Sequence, residues 1–149
     1  MSTTPSNDYV DVTIRARYAE TDRMGVVYYA NYFVWFELGR TEFFRARGGD
    51  YKEMEEQEGA YLIVAEARCQ YKRPVYYDEV ITLRTRLTQV RSRSLTFSYE
   101  IFSPDGAQLI ATGETVHVVT DRAGRPRTLP ARYHEILGLA AVPKMRSND

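Results

Sequence analysis

Cysteine, histidine and long apolar runs are scarce in this chain, and each shortage removes a class of function. Cys69 is the single cysteine among 149 residues, so no intramolecular disulfide can form and a reducing compartment, the cytoplasm, is expected. His117 and His134 are the two histidines. They lack the paired spacing of a zinc site, and no metal is expected. Neither a G-x-S-x-G elbow nor a glycine-rich phosphate loop occurs, and Cys69 sits in a strand pattern, so a serine or cysteine nucleophile with its histidine has no home. No cofactor is expected. No apolar stretch approaches the roughly 20 residues that cross a bilayer, and MSTTPSND at the start lacks the basic and apolar segments of a secretory signal. Charge of one sign is missing too: 20 basic residues balance 20 acidic ones, which argues against a nucleic-acid partner held by overall positive charge.

What is present has the size of one domain, large enough to bury a core unaided. Residues 1–8 are polar and read as a disordered tail, residues 9–140 as the domain, and residues 141–149 as a flexible C-terminal tail. Val10, Val12, Ile14, Ala16 and Tyr18 alternate with polar residues, the pattern of a half-buried strand. A helix is expected over residues 31–47. Tyr32, Trp35, Phe36, Gly39, Phe43 and Ala46 share one stripe of it, while Phe33, Val34, Leu38 and Phe44 lie outside that stripe and call for a second cover. Gly48-Gly49 ends this helix, and Asp50 caps a short acidic one that closes at Gly59.

Beyond Gly59 the period falls to two. Tyr61 to Tyr71, Ile81 to Leu87 and Leu95 to Ile101 alternate, with turn signals at Arg73-Pro74 and Pro104-Asp105-Gly106. A fourth strand from Gln108 to about Asp121 carries apolar residues on both faces at Val116, Val118 and Val119, so it is either central or covered by a partner. Pro130 to Leu137 reads as a last short helix. One long helix followed by strands on short connections predicts an α+β fold, an antiparallel sheet packed on a single helix.

One acid stands out by place: Asp22, in the polar turn just ahead of the long helix. Thr-Asp followed by glycine at a helix mouth is a common Asx-turn or cap, and spacing alone takes the reading no further. The stretch TDRMGVVYYANYFVWFE, however, resembles the signature of the 4-hydroxybenzoyl-CoA thioesterase family of hotdog proteins, which includes acyl-CoA thioesterases found with the Tol-Pal envelope system. Thr21, Asp22, Gly25, Val26, Val27, Tyr28, Tyr29, Asn31 and Tyr32 fill the motif in register, Glu37 and Arg40 match the helix that follows, and EARCQYKRPVYYDEV resembles a second family segment. The similarity spans roughly residues 10–130.

The resemblance implies a hotdog fold, a sheet wrapped around one central helix, and an acyl-CoA thioesterase. Asp22 is then the catalytic carboxylate, as nucleophile or as general base for water. Backbone N–H groups around Tyr29 and Ala30 would polarise the thioester oxygen, and Gly25, Val27, Tyr28, Asn31 and Tyr32 would line the substrate. Many family members carry histidine where this chain has Tyr29, whereas the hydroxybenzoyl-CoA branch carries tyrosine, a slight lean toward an aromatic acyl group. Arg91, Arg93 and Ser94, in a Val-Arg-Ser-Arg-Ser turn, are candidates to hold coenzyme A phosphates. Of the other basic residues in this part of the chain, Lys72, Arg73, Arg84 and Arg86, the last two read as a solvated strand face. A homo-oligomer, a tetramer of paired dimers with sites between subunits, is expected, with acyl-CoA as substrate and acyl carrier protein as the other possible carrier. Two other readings stand beside this one: a hotdog dehydratase, disfavoured because no histidine precedes His117, and a non-catalytic acyl-CoA or acyl-carrier-protein binding module or envelope-complex partner.

Overall fold

In the computed structural model, residues 9–137 are described. The elements run β1 (Val10–Arg15), a single 3-10 turn (Tyr18–Glu20), α1 (Asn31–Ala46), α2 (Tyr51–Glu58), β2 (Tyr61–Tyr71), β3 (Val80–Arg91), β4 (Ser94–Phe102), β5 (Leu109–Thr120) and α3 (Ala131–Ile136). The five strands form one sheet in the order β1-β3-β4-β5-β2, with every neighbouring pair antiparallel. With β1 at one edge and β2 at the other, the segment that carries α1 runs from one edge of the sheet to the other. The tails expected at residues 1–8 and 141–149 lie outside the described residues.

Helix α1 sits deep in the sheet because both layers are thinned where they meet. A Cβ on Gly39 would fall 2.3 Å from Thr85 Oγ1 and 2.7 Å from Leu83 Cδ2, and one on Gly113 of β5 would fall 2.3 Å from the Phe36 ring. Phe36 accordingly stacks on Tyr99 with centroids 4.2 Å apart, and Trp35, Phe36 and Phe43 are buried with Leu83, Leu87, Phe97 and Ile101. Burying such side chains supplies about 1.5–3 kcal/mol each.

Four expectations need correction. The first strand stops at Arg15, and Tyr18 is 77% exposed in the turn that follows. Ala16 N–H still donates to Glu79 O and Ala16 O accepts from Asp78 N–H, so the chain stays bonded one residue past the strand before the alternation fails. On α1, Ala46 is exposed and Phe44 is buried, since Phe44 stacks on Tyr51 of α2 and Tyr133 of α3. Tertiary cover from those two helices extends the apolar face past the stripe read from period alone. Arg84 and Arg86 are paired rather than merely solvated, with Asp11 at 2.9 Å and Glu100 at 2.6 Å. Finally, β2 alternates in sequence but not in burial: Ile63, Ala65, Ala67 and Tyr71 are all exposed, because a strand at the sheet edge, bulged between Val64 and Glu66, is only partly covered by α1, as where Tyr71 meets Tyr32. The apolar residues on both faces of β5 fit its interior place between β4 and β2. Asp50 accepts from Lys52 N–H at 2.9 Å and Gly59 closes α2 at φ 65°, as their residue types predict.

Candidate active site

The segment from Arg17 to Asn31 folds back on itself before it enters α1. Asp22 N–H donates to Val26 O at 2.8 Å, Gly25 N–H to Asp22 O at 3.0 Å, and Gly25 takes φ 81°, a left-handed conformation that suits glycine. Asp22 Oδ1 accepts from Met24 N–H at 2.8 Å and from Val26 N–H at 3.4 Å. The Asx-turn is therefore real, but it occupies one carboxylate oxygen; Oδ2 has no hydrogen-bond partner among the described residues.

Two sets of bonds hold this turn to the body. On one side, Val27 N–H donates to Val75 O at 2.7 Å and Tyr77 N–H to Gly25 O at 3.2 Å. On the other, Tyr28 N–H and the Asn31 Nδ2 group both donate to Glu20 O at 2.8 Å. The Glu20 carboxylate is buried, taking Trp35 Nε1–H at 3.0 Å on Oε2 and Arg17 N–H at 2.8 Å on Oε1.

At the start of α1 no side chain caps the helix. The N–H groups of Asn31, Tyr32 and Phe33 donate to Tyr28 O, Tyr29 O and Ala30 O in tight turns. The N–H groups of Tyr29 and Ala30 have no acceptor among the described residues. The open donors at this helix mouth are thus the two named from sequence, next to the positive end of the helix dipole. Tyr71 OH donates to Tyr29 O at 2.9 Å and steadies that peptide from β2.

Of the residues assigned from sequence, Asp22, Tyr28, Tyr29 and Ala30 are exposed together, and Gly25 and Asn31 partly so. Val27 and Tyr32 are buried, at 4% and 2% exposure, and support the loop from beneath. Burial pushes the Tyr32 phenol up to about 12. The Tyr28 phenol is raised by its hydrogen bond to Tyr29, with the negative charge of Asp22 adding in the same sense. Arg91, Arg93 and Ser94 are not brought to this group. They sit at the β3–β4 turn, while Val75 and Tyr77, which hold the Asp22 turn, lead into the opposite end of β3. At about 3.3 Å per residue the length of β3 separates the two by roughly 36 Å within one chain.

Sequence reasoning missed a second polar region. Arg40 Nη1 donates to Tyr99 OH at 3.4 Å, Tyr99 OH shares a hydrogen bond with Thr115 Oγ1 at 2.6 Å, and Thr115 Oγ1 meets His117 Nε2 at 2.8 Å. A cavity of about 200 Å³ lined by Glu37, Arg40, Tyr51 and His117 borders this chain of contacts. His117 is buried, and desolvation with the nearby Arg40 charge pushes its pKa down to about 3, so the ring is neutral near pH 7. The only forewarning was Glu37-x-x-Arg40, two charges on one helix face. Among the described residues no three His, Cys, Asp or Glu side chains gather as a metal site, and no helix is long and apolar enough to cross a membrane.

An antiparallel sheet wrapped on one long helix is the hotdog architecture. The model of the thioesterase-like superfamily matches residues 16–145, and the chain belongs to that superfamily. The acyl-CoA thioester hydrolase YbgC of Escherichia coli is 29% identical over 117 residues, covering 78% of this chain and 87% of that protein. The structure of a DHNA-CoA thioesterase from Staphylococcus aureus superposes with a TM-score of 0.81 at 32% identity, covering 87% of this chain and 89% of that one. The 4-hydroxybenzoyl-CoA thioesterase of Pseudomonas sp. strain CBS-3 shares the fold, with a TM-score of 0.76 at 21% identity over 86% of this chain and 98% of its own.

Proposed function

We propose that the protein is an acyl-CoA thioester hydrolase in which Asp22 is the working carboxylate. The observation that carries this reading is the half-occupied acid: Oδ1 is held by the turn, Oδ2 is left without a partner, and the open Tyr29 and Ala30 N–H groups begin the adjoining helix. Oδ1 fixes the direction of the carboxylate, and Oδ2 is available either to attack the thioester carbonyl or to take a proton from water. As the carbonyl oxygen gains negative charge, the two N–H groups and the helix dipole stabilise it without reorganisation. The C–S bond breaks and the sulfur leaves as coenzyme A, taking a proton. The acyl carbon gains its second oxygen from water, directly or by hydrolysis of the mixed anhydride with Asp22, and the acyl group departs as a carboxylate. Tyr28, Tyr29 and Tyr71 around the turn favour a planar aromatic acyl group, with the Tyr28 and Tyr29 rings 4.8 Å apart.

The arginines fit the same reading only across a subunit boundary. Val34, Leu38, Ile63 and Val64 are each 45–50% exposed, and β2 offers an unpaired edge beside them. A second copy of the chain is the natural cover for such a surface, and we propose a homo-oligomer, paired dimers forming a tetramer, in which Arg91, Arg93 and Ser94 of one subunit serve the coenzyme A phosphates at a neighbour's Asp22. The single free cysteine suits a cytoplasmic setting.

The test is release of free thiol from a panel of aromatic, short and long aliphatic acyl-CoA thioesters, with the corresponding acyl carrier protein thioesters alongside. Turnover of at least one class is expected, aromatic acyl-CoA first. Tight binding of the panel without thiol release would replace the enzyme with a binding module.

A further inference from the structure

We propose that Glu20 is a positioning residue for the site: its buried carboxylate couples the Asp22 turn to helix α1 and so sets the placement of the acid relative to the Tyr29 and Ala30 N–H groups. For its effect on turnover this rests on the thioesterase reading above; for its effect on loop geometry it does not.

Glu20 grips three parts of the site's frame at once. One carboxylate oxygen takes the Trp35 indole N–H at 3.0 Å, one turn inside α1, and the other takes Arg17 N–H at 2.8 Å, where the chain leaves the sheet. Its backbone carbonyl accepts from Tyr28 N–H and Asn31 Nδ2, both at 2.8 Å, at the helix entry. Asp22 follows two residues later. With 7% exposure, Glu20 is the one buried acid among the described residues. Burying a carboxylate costs several kcal/mol unless its oxygens are matched by donors. Here each oxygen has a buried or backbone N–H, and the Arg17 guanidinium at 3.5 Å adds a weaker contact. Such a group cannot leave its donors without penalty, so the backbone that carries it is held as firmly as α1 itself. A plain cap at the 3-10 turn needs the bond to Arg17 N–H; it does not need the bond to Trp35, which reaches across to the helix that carries the open donors.

The chain has a single tryptophan, so one indole N–H resonance reports the contact directly. In Glu20→Gln the side chain offers one acceptor to two donors, and its NH2 group opposes the other. The expected result is a shifted indole resonance, displaced amide resonances across residues 21–30, and a kcat about tenfold lower with KM within about twofold, as a small misplacement of catalytic groups produces. Trp35→Phe removes the donor from the other side and should displace the same amides, and the double variant should be no slower than Glu20→Gln alone. If Glu20→Gln does not fold, Trp35→Phe carries the test. Loop amides that stay in place in a folded variant, or a kcat within twofold of an active wild type, overturn the proposal. A wild type without thioesterase activity overturns the function proposed above and leaves the loop amides to decide this one.

Discussion

At the N-terminal end of α1 an exposed acid keeps one oxygen without a partner and two backbone donors stand open. Three turns along the same helix, Arg40, Tyr99, Thr115 and His117 pass one hydrogen bond to the next within the sheet. By residue type the second region looks the more chemical, since it holds a histidine and an arginine beside a cavity. Its histidine, however, is buried and held neutral far below the physiological range, which suits structure better than proton transfer. The first region spends its polar groups only in part. Unsatisfied groups at a solvent-facing helix end cost little, whereas buried ones are costly. In the second region the Tyr51 hydroxyl is the one buried side-chain group of the cavity wall left without a partner among the described residues. Capacity for reaction is read from what is left over.

The largest effect that tests this contrast is Asp22→Asn. Asparagine keeps the shape and an acceptor for Met24 N–H, so the turn and the melting temperature should hold, while kcat falls by about 10²–10⁴ with KM little changed. Turnover within about threefold of wild type in a folded variant, against the 10² that loss of a general base brings, would return Asp22 to a purely structural role.

The closed region predicts a pH effect on stability rather than on chemistry. Folded His117 takes a proton only near pH 3, against 6.5 as the ordinary value. Between these limits the unfolded chain binds more protons, so this contribution is full above pH 6.5 and is lost as pH falls toward 3. About 2–3 kcal/mol should disappear between pH 6.5 and 4. His117→Gln, measured by denaturant unfolding at both pH values, should lose that part of the slope and keep near-normal kcat. A large drop in kcat with unchanged pH slope would make the buried region catalytic and break the contrast.

The smallest effect belongs to Arg91 and Arg93. Replacing both with alanine should raise KM for acyl-CoA by about tenfold, with kcat nearly constant, because phosphate contacts are alike in ground and transition states. Added salt should reproduce part of the rise. Equal KM values for variant and wild type would confine recognition to the Asp22 end.

Most of the frame was legible from period and caps: Asp50 and Gly59 bracket α2, and the aromatic stripe announces α1. The Asx-turn at Asp22 was legible because acid, glycine and helix mouth lie within one short segment, whereas a working role for the acid came only from the resemblance. Burial of Phe44 was hidden, since it depends on Tyr133, far along the chain. The exposure of β2 was hidden because alternation fixes faces but not rank within a sheet. Glu20 reads as an ordinary surface charge until Trp35 is seen against it, and the His117 chain exists only through the register that sets Leu95 opposite His117 and Phe97 opposite Thr115.

Gly39 and Gly113 act together as a depth gauge. With a Cβ at either place, 2.3 Å from Thr85 Oγ1 or from the Phe36 ring, something must give: those side chains turn aside or the helix rises. Ala30 lies nine residues from Gly39, about 13 Å along a rigid rod, so a lift there is carried to the helix mouth as on a lever. The Asp22 turn has one anchor on that rod, through Glu20 and Trp35, and another off it, on the Val75–Tyr77 segment. A tilted helix would pull one anchor and leave the other, skewing the acid against the donors; since misplacement of about 1 Å can cost a hundredfold in rate, packing faults far from the site would be scored as lost activity before they were seen as lost fold.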